Sequence, residues 1–159
     1  MVDIKKGDEI FVSYLSLPQD TPKRQAELVP YGFQCTCASC TSPGFDRLYQ
    51  ETLKHVMQLS NSYNTWIHDR SLPEDHIIKP ALMLLSLMEK NGLYCVNIYE
   101  ITCVTLMKCY AALGDLPNVM KHANLCGLWH LVREGNSELY EGMKRPQMHT
   151  MGGGWRARV

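Results

Sequence analysis

The stretch YAALGDLPNVMKHANL, Tyr110 to Leu125, sets the architecture of most of this chain. Its first half ends a helix. Ala111 and Ala112 are strong helix formers, and Gly114 enters at no steric cost the left-handed conformation in which many helices stop. Its second half begins another. Asp115 offers a capping carboxylate, and Pro117 falls in the first turn, where its missing N–H is not needed. Small side chains at Ala111, Ala112 and Ala123 let the two helices approach closely. The expected unit is helix, tight turn, helix.

Reading outward from this turn repeats the pattern. On the C-terminal side the second helix is expected to run to about Glu134 and to end at Gly135-Asn136. A short helix follows from Ser137 to about Lys144, and the tail from Met148 to Val159, with Gly152-Gly153-Gly154, is expected to be loose. On the N-terminal side the first helix starts near Tyr94 and runs to Leu113. Before it, Pro73 to Lys90 carries Ile77, Ile78, Ala81, Leu82, Leu84, Leu85 and Met88, and Asn91-Gly92 closes it. Pro80 either kinks that helix or marks its true first turn. Phe45 to Ser60 places Phe45, Leu48, Tyr49, Leu53, Val56 and Leu59 on one helical face.

Helical periodicity is weak before Pro43-Gly44. Glu9 to Leu15 reads Glu-Ile-Phe-Val-Ser-Tyr-Leu, rich in β-branched and aromatic residues, so a strand is expected there. Lys6-Gly7-Asp8 is the turn before it, and Ser16 to Pro22 is a loop. Pro22 opens a short helix over Lys23 to Val29, and Pro30 stops it. Tyr31-Gly32-Phe33 then leads into Cys35-Thr36-Cys37-Ala38-Ser39-Cys40.

The bulk numbers narrow the function classes. The chain has 159 residues, and its 16 Lys and Arg balance 16 Asp and Glu. A zero net charge gives no support for binding nucleic acid or an anionic membrane directly. The longest apolar-rich stretch, Ala81 to Met88, is interrupted by Ser86 and is far shorter than the roughly 20 residues of a membrane span. The first residues lack the apolar core of a secretory signal, so an intracellular, reducing location is expected, in nucleus or cytoplasm. In such a compartment Cys35, Cys37 and Cys40 read as metal ligands rather than disulfide partners. Zinc would hold all of them as thiolates but asks for a fourth ligand from outside the cluster. The alternative is a loop with free thiols. The other cysteines, Cys95, Cys103, Cys109 and Cys126, sit in apolar helical sequence and read as small buried hydrophobes. The six histidines show no ligand spacing and read as surface or satisfied helix residues.

The N-terminal segments together resemble a known family. Ile4, Gly7, Asp8, Glu9 and Tyr14, then Arg24, Leu28, Tyr31, Phe33, Cys35, Cys37 and Cys40, are similar in order, spacing and type to the end of a SET domain and its post-SET zinc loop. The similarity is to SET- and MYND-type protein-lysine methyltransferases and their fungal SET relatives. The helical remainder resembles, more weakly, the tetratricopeptide-like (TPR-like) C-terminal domain of the same family, with Tyr110 to Leu125 like a TPR junction in a degenerate array.

The resemblance implies a mainly α fold: residues 1–42 as a partial SET and post-SET region with a short strand and Cys loop, 43–146 as TPR-like α-hairpins, and 147–159 as a flexible tail. It implies that Tyr14 is the catalytic tyrosine beside the lysine amine that attacks the methyl group of S-adenosylmethionine. Tyr31 would line the lysine channel, and Phe33 would stack on the cofactor adenine. The chemistry needs a neutral amine, and lysine's pKa is about 10.4, so an apolar aromatic channel helps. Taken alone, Tyr14 would be a core-facing strand residue, and Tyr31 and Phe33 a hydrophobic plug beside the metal. The partner would be a protein or peptide with a target lysine, histone or not. The family's Gly-rich cofactor segment and its Asn-His-x-Cys-x-Pro-Asn motif, whose Cys is the fourth zinc ligand, do not occur in this sequence. The chain is therefore expected to be a fragment without methyltransferase activity by itself. A reading from another class is a non-catalytic interaction module, in which the helical array captures a peptide and the Cys loop only stabilises its edge.

Overall fold

A computed structural model describes residues 5–7, 19–93 and 96–134 of the chain. The described part is mainly α, as the periodicity predicts, and no strand occurs among the described residues. The strand expected over Glu9 to Leu15 lies outside them, and so do Tyr14, the short helix expected from Ser137 to Lys144, and the tail. The elements are α1 (Thr21–Leu28), a 3-10 turn (Val29–Tyr31), α2 (Ala38–Thr41), α3 (Phe45–His68), α4 (Ile78–Lys90), α5 (Val96–Ala112) and α6 (Leu116–Glu134). The chain forms two compact units, Met1–Arg47 and Leu48–Val159.

In the N-terminal unit, Asp20 caps α1 by accepting a hydrogen bond from the Lys23 N–H at 3.1 Å. Pro22 lies in the first turn, as expected. Pro30 does not simply end the helix. It sits in the 3-10 turn, which Gly32 closes at φ +74°, a left-handed conformation that glycine takes without strain. The one-turn helix α2 inside the Cys cluster has no periodic signal in the sequence, being too short for one.

The C-terminal unit is built around α5. This helix is apolar on most of its circumference, with Ile98, Tyr99, Cys103, Leu106, Cys109 and Ala112 buried. Such a helix belongs inside a bundle rather than on its surface. Its buried hydroxyls satisfy themselves within the helix: Thr102 donates to the Ile98 carbonyl at 2.7 Å and Thr105 to the Ile101 carbonyl at 2.8 Å. Tyr99 reaches α4 by donating to Glu89 Oε1 at 3.1 Å, and its ring meets Trp129 of α6 at 5.4 Å.

The turns follow the predicted chemistry. α5 ends with the Gly114 N–H on the Ala111 carbonyl at 3.2 Å and the Asp115 N–H on the Tyr110 carbonyl at 2.9 Å. This is the Schellman arrangement. Asp115 then caps α6 by accepting from the Asn118 N–H at 3.2 Å. α4 ends the same way, with Gly92 bonded to Glu89 and Leu93 to Met88.

Two boundaries differ from expectation. α3 runs past Ser60 to His68 because Trp66 and Ile67 are buried and the Trp66 indole donates to the Pro73 carbonyl at 2.9 Å. Packing holds the last turns of this polar stretch. α4 starts at Ile78 rather than Pro73, so Pro80 lies in its first turn and causes no kink. No helix among the described residues is long and apolar enough to cross a membrane.

Candidate metal centre

The Cys loop is shaped from both ends. At its start, Cys35 is held by the side chain of Gln25 on α1. The Gln25 amide donates to the Cys35 carbonyl at 2.7 Å and accepts from the Cys35 N–H at 3.0 Å. At its end, Cys37 caps α2: its carbonyl accepts from the Cys40 N–H at 2.9 Å, from the Thr41 N–H at 3.0 Å and from the Thr41 hydroxyl at 3.1 Å. That single turn brings Cys37 and Cys40, three residues apart, to one side of the helix.

The result is convergence. The Sγ atoms of Cys35, Cys37 and Cys40 all lie within 4.8 Å of one another. Around a zinc ion with Zn–S near 2.3 Å, tetrahedral sulfurs sit about 3.8 Å apart, so a small contraction closes the set. The loop therefore fits a thiophilic divalent ion in its donor type and its spacing. Cys35 and Cys40 are half-buried and Cys37 is exposed, so an ion has an open approach. No further group of metal-ligating residues is found among the described residues.

The thiols do not titrate alike. Burial alone would raise Cys37, but hydrogen bonds from the Cys35 side chain and from Cys40 outweigh it and hold this thiol below the ordinary range. Cys40 is pushed up, first by burial, and the Cys37 and Cys35 sulfurs add to this, against a hydrogen bond from Arg24 that favours the thiolate. A metal that binds these thiols displaces their protons.

Arg24 braces the same loop. It is buried at 5% exposure. Its guanidinium donates to the Gln19 carbonyl, to Thr21 Oγ1 at 2.6 Å and to Ser39 O at 3.4 Å, and reaches Cys40 Sγ at 3.9 Å. It also pairs with Asp46 Oδ1 at 3.2 Å. Asp46, in the first turn of α3, is bound independently by the Thr21 N–H at 2.7 Å and hydroxyl at 3.1 Å. Burial would raise the Asp46 carboxyl, but these Thr21 hydrogen bonds and the Arg24 charge hold it below the usual carboxylate range.

The expected aromatic residues lie on the surface. Tyr31 is 58% exposed and Phe33 44% exposed, with Val29 beside them at 72%. Tyr14 lies outside the described residues. Three of the scattered cysteines behave as read: Cys103, Cys109 and Cys126 are buried, and burial followed by the charge of Cys126 pushes the Cys103 thiol up to about 12, while Cys95 lies outside the described residues. His122 departs from expectation. It is 2% exposed, stacks on Tyr110 at 5.6 Å, and has no hydrogen-bond partner on either ring nitrogen among the described residues. Its flanking apolar residues on α6 gave no spacing that marked it.

The C-terminal unit carries a separate polar cleft of about 450 Å³ between α3 and α5. Tyr63, Asn61, Glu100 and Lys108 line it, and the Lys108 ammonium lies 5.8 Å from the Tyr63 ring centre. No protein-family model matches this chain, and no curated protein or solved structure matches it either.

Proposed function

We propose that this chain carries the zinc-binding end of a SET-type, S-adenosylmethionine-dependent protein-lysine N-methyltransferase, followed by the TPR-like helical region that accompanies such domains. The observation that carries this reading is the meeting of the Cys35, Cys37 and Cys40 sulfurs within 4.8 Å. The loop follows Tyr31 and Phe33 in the order the family resemblance asks for. Zinc bound there would fix the loop and neutralise its thiolates. The fourth ligand would come from outside the cluster.

In this proposal the chain's own residues take distinct roles. Gln25 and Arg24 hold the loop in shape for the ion. Tyr31 and Phe33, both exposed aromatic residues, suit planar or apolar occupants, the lysine side chain at the first and the cofactor adenine at the second. Tyr14 would border the attacking amine. The partner is a protein or peptide bearing a target lysine, and the setting is inside the cell, in nucleus or cytoplasm. The isolated chain is proposed to be inactive, since the cofactor-binding motifs of the family do not occur in its sequence.

Titration of S-adenosylmethionine into the zinc-loaded chain tests this. Weak, saturable binding that disappears in Phe33→Ala is the expected result. No binding, with helical structure intact, would favour the second reading. There the chain is a non-catalytic interaction module, and the specific support is the polar cleft lined by Lys108, Glu100 and Tyr63.

A further inference from the structure

Among the described residues, Arg24 is the one buried lysine or arginine. An ion pair with Asp46 accounts for its charge, but not for where its fork is aimed. The same terminal nitrogen that meets Asp46 also reaches the Ser39 carbonyl at 3.4 Å and Cys40 Sγ at 3.9 Å. Those are the backbone and side chain of consecutive residues in α2, the helical turn that presents Cys40 to its partner sulfurs. The opposite end of the guanidinium is anchored on the Gln19 carbonyl, and Thr21 Oγ1 fixes the plane. Arginine presents several donors in a rigid fork, which a lysine ammonium on a flexible stem cannot reproduce. A cation also suits this position chemically, because thiolates around one divalent ion outnumber its charge.

We propose that Arg24 is the positioning residue of the thiolate centre: it holds Cys40 toward the metal and offsets the negative charge of the assembled sulfurs. This rests on the metal-binding reading of the Cys loop. Asp46 is secondary in this arrangement. It helps to hold Arg24, but the Gln19 and Ser39 carbonyls and Thr21 Oγ1 are further acceptors of the same guanidinium. A plain structural clamp between α1 and the start of α3 would depend on both members of the ion pair equally.

The test uses the full chain and two readouts. Zinc affinity is measured by competition with a chromogenic chelator, and cobalt(II) substitution reports thiolate coordination through its sulfur-to-metal charge-transfer absorption. Loss of a group that orients a ligand typically lowers metal affinity about 10- to 100-fold, and Arg24→Lys is expected to fall in that range. Its charge-transfer band weakens, while the metal-free circular dichroism stays that of wild type. Asp46→Asn is expected to cost less than about threefold, well short of that range. Wild-type zinc affinity and cobalt spectrum in both Arg24→Lys and Arg24→Gln would overturn the proposal. So would equal losses in Arg24→Lys and Asp46→Asn, which would make the pair a clamp. If the Arg24 variants do not fold, the wild-type chain still decides. Its guanidinium N–H resonances should shift when zinc is added, and unshifted resonances in a zinc-bound chain would overturn the assignment. A wild-type chain that binds no zinc removes the metal reading and this inference together, whereas zinc binding indifferent to Arg24 removes the inference alone.

Discussion

Gln25 and Cys35 pair as two strand residues do, although one partner is a side chain. The Gln25 amide gives its N–H to the Cys35 carbonyl at 2.7 Å and takes the Cys35 N–H at 3.0 Å. Both polar groups of one loop residue are thereby satisfied by a single side chain ten positions earlier. The loop's first thiol enters the cluster from a fixed backbone. A net hydrogen bond contributes on the order of 1 kcal/mol, so Gln25→Ala is expected to destabilise the N-terminal unit by about 1–2 kcal/mol. Hydrogen exchange checks this directly: the Cys35 amide should lose its protection, while amides in α5 keep theirs.

The buried His122 ring predicts a pH dependence with a definite sign. Burial, and after it the charge of Lys121, holds its pKa below the ordinary value of 6.5. In the unfolded chain the imidazole takes a proton near pH 6.5, while in the fold it takes one only at lower pH. Stability is therefore complete above about pH 6.5 and falls as the pH drops below it, by at most about 1.4 kcal/mol per pH unit from this group. His122→Leu removes two unpartnered buried nitrogens as well as the titration. Thermal unfolding at pH 5 and pH 7.5 should show a smaller difference for the variant than for wild type, and a variant at least as stable at pH 5.

The end of α4 predicts a contrast between neighbours. Met88 and Leu93 are fully buried and are joined by the Leu93 N–H to Met88 carbonyl bond at 2.9 Å. Met88→Ala is expected to cost about 2–5 kcal/mol in chemical denaturation. Met83, 66% exposed on the same helix, should change stability by no more than about 0.5 kcal/mol when replaced by alanine.

The turn between α5 and α6 makes a further prediction. Gly114 has φ +75°, and Asp115 both closes α5 and caps α6. Gly114→Ala and Asp115→Ala are each expected to cost about 1 kcal/mol, the first through backbone strain and the second through a lost cap. Urea midpoints shifted downward in both variants would bear this out.

These turns were the most legible part of the chain. Gly92, Gly114, Asp115 and Pro80 mark helix ends by backbone chemistry that depends on the local residue alone, and the structure places helix boundaries at each of them. The end of α3 was missed although Leu59, Tyr63, Trp66 and Ile67 keep helical spacing, because the Ser, Asn and Thr residues between them make the stretch polar and the carbonyl at Pro73 that holds Trp66 is distant in sequence. The Cys loop divides in the same way. Its ligand spacing is local and readable, and Arg24 stands in the family pattern, but the contacts that shape the loop are not readable. Gln25 reaches ten residues along the chain and Arg24 fifteen to twenty-two, and neither contact leaves a pattern in the sequence. His122 was missed for a related reason, since helical spacing reports which face a residue occupies and not whether its nitrogens find partners.

The zinc content of the purified full chain, measured by elemental analysis beside that of Cys37→Ser, bears most directly on the convergent thiols. A stoichiometric zinc ion in wild type and a clear loss in the variant is the expected result. Equal zinc in both, or none in either, would leave three neighbouring sulfurs that do not hold a metal.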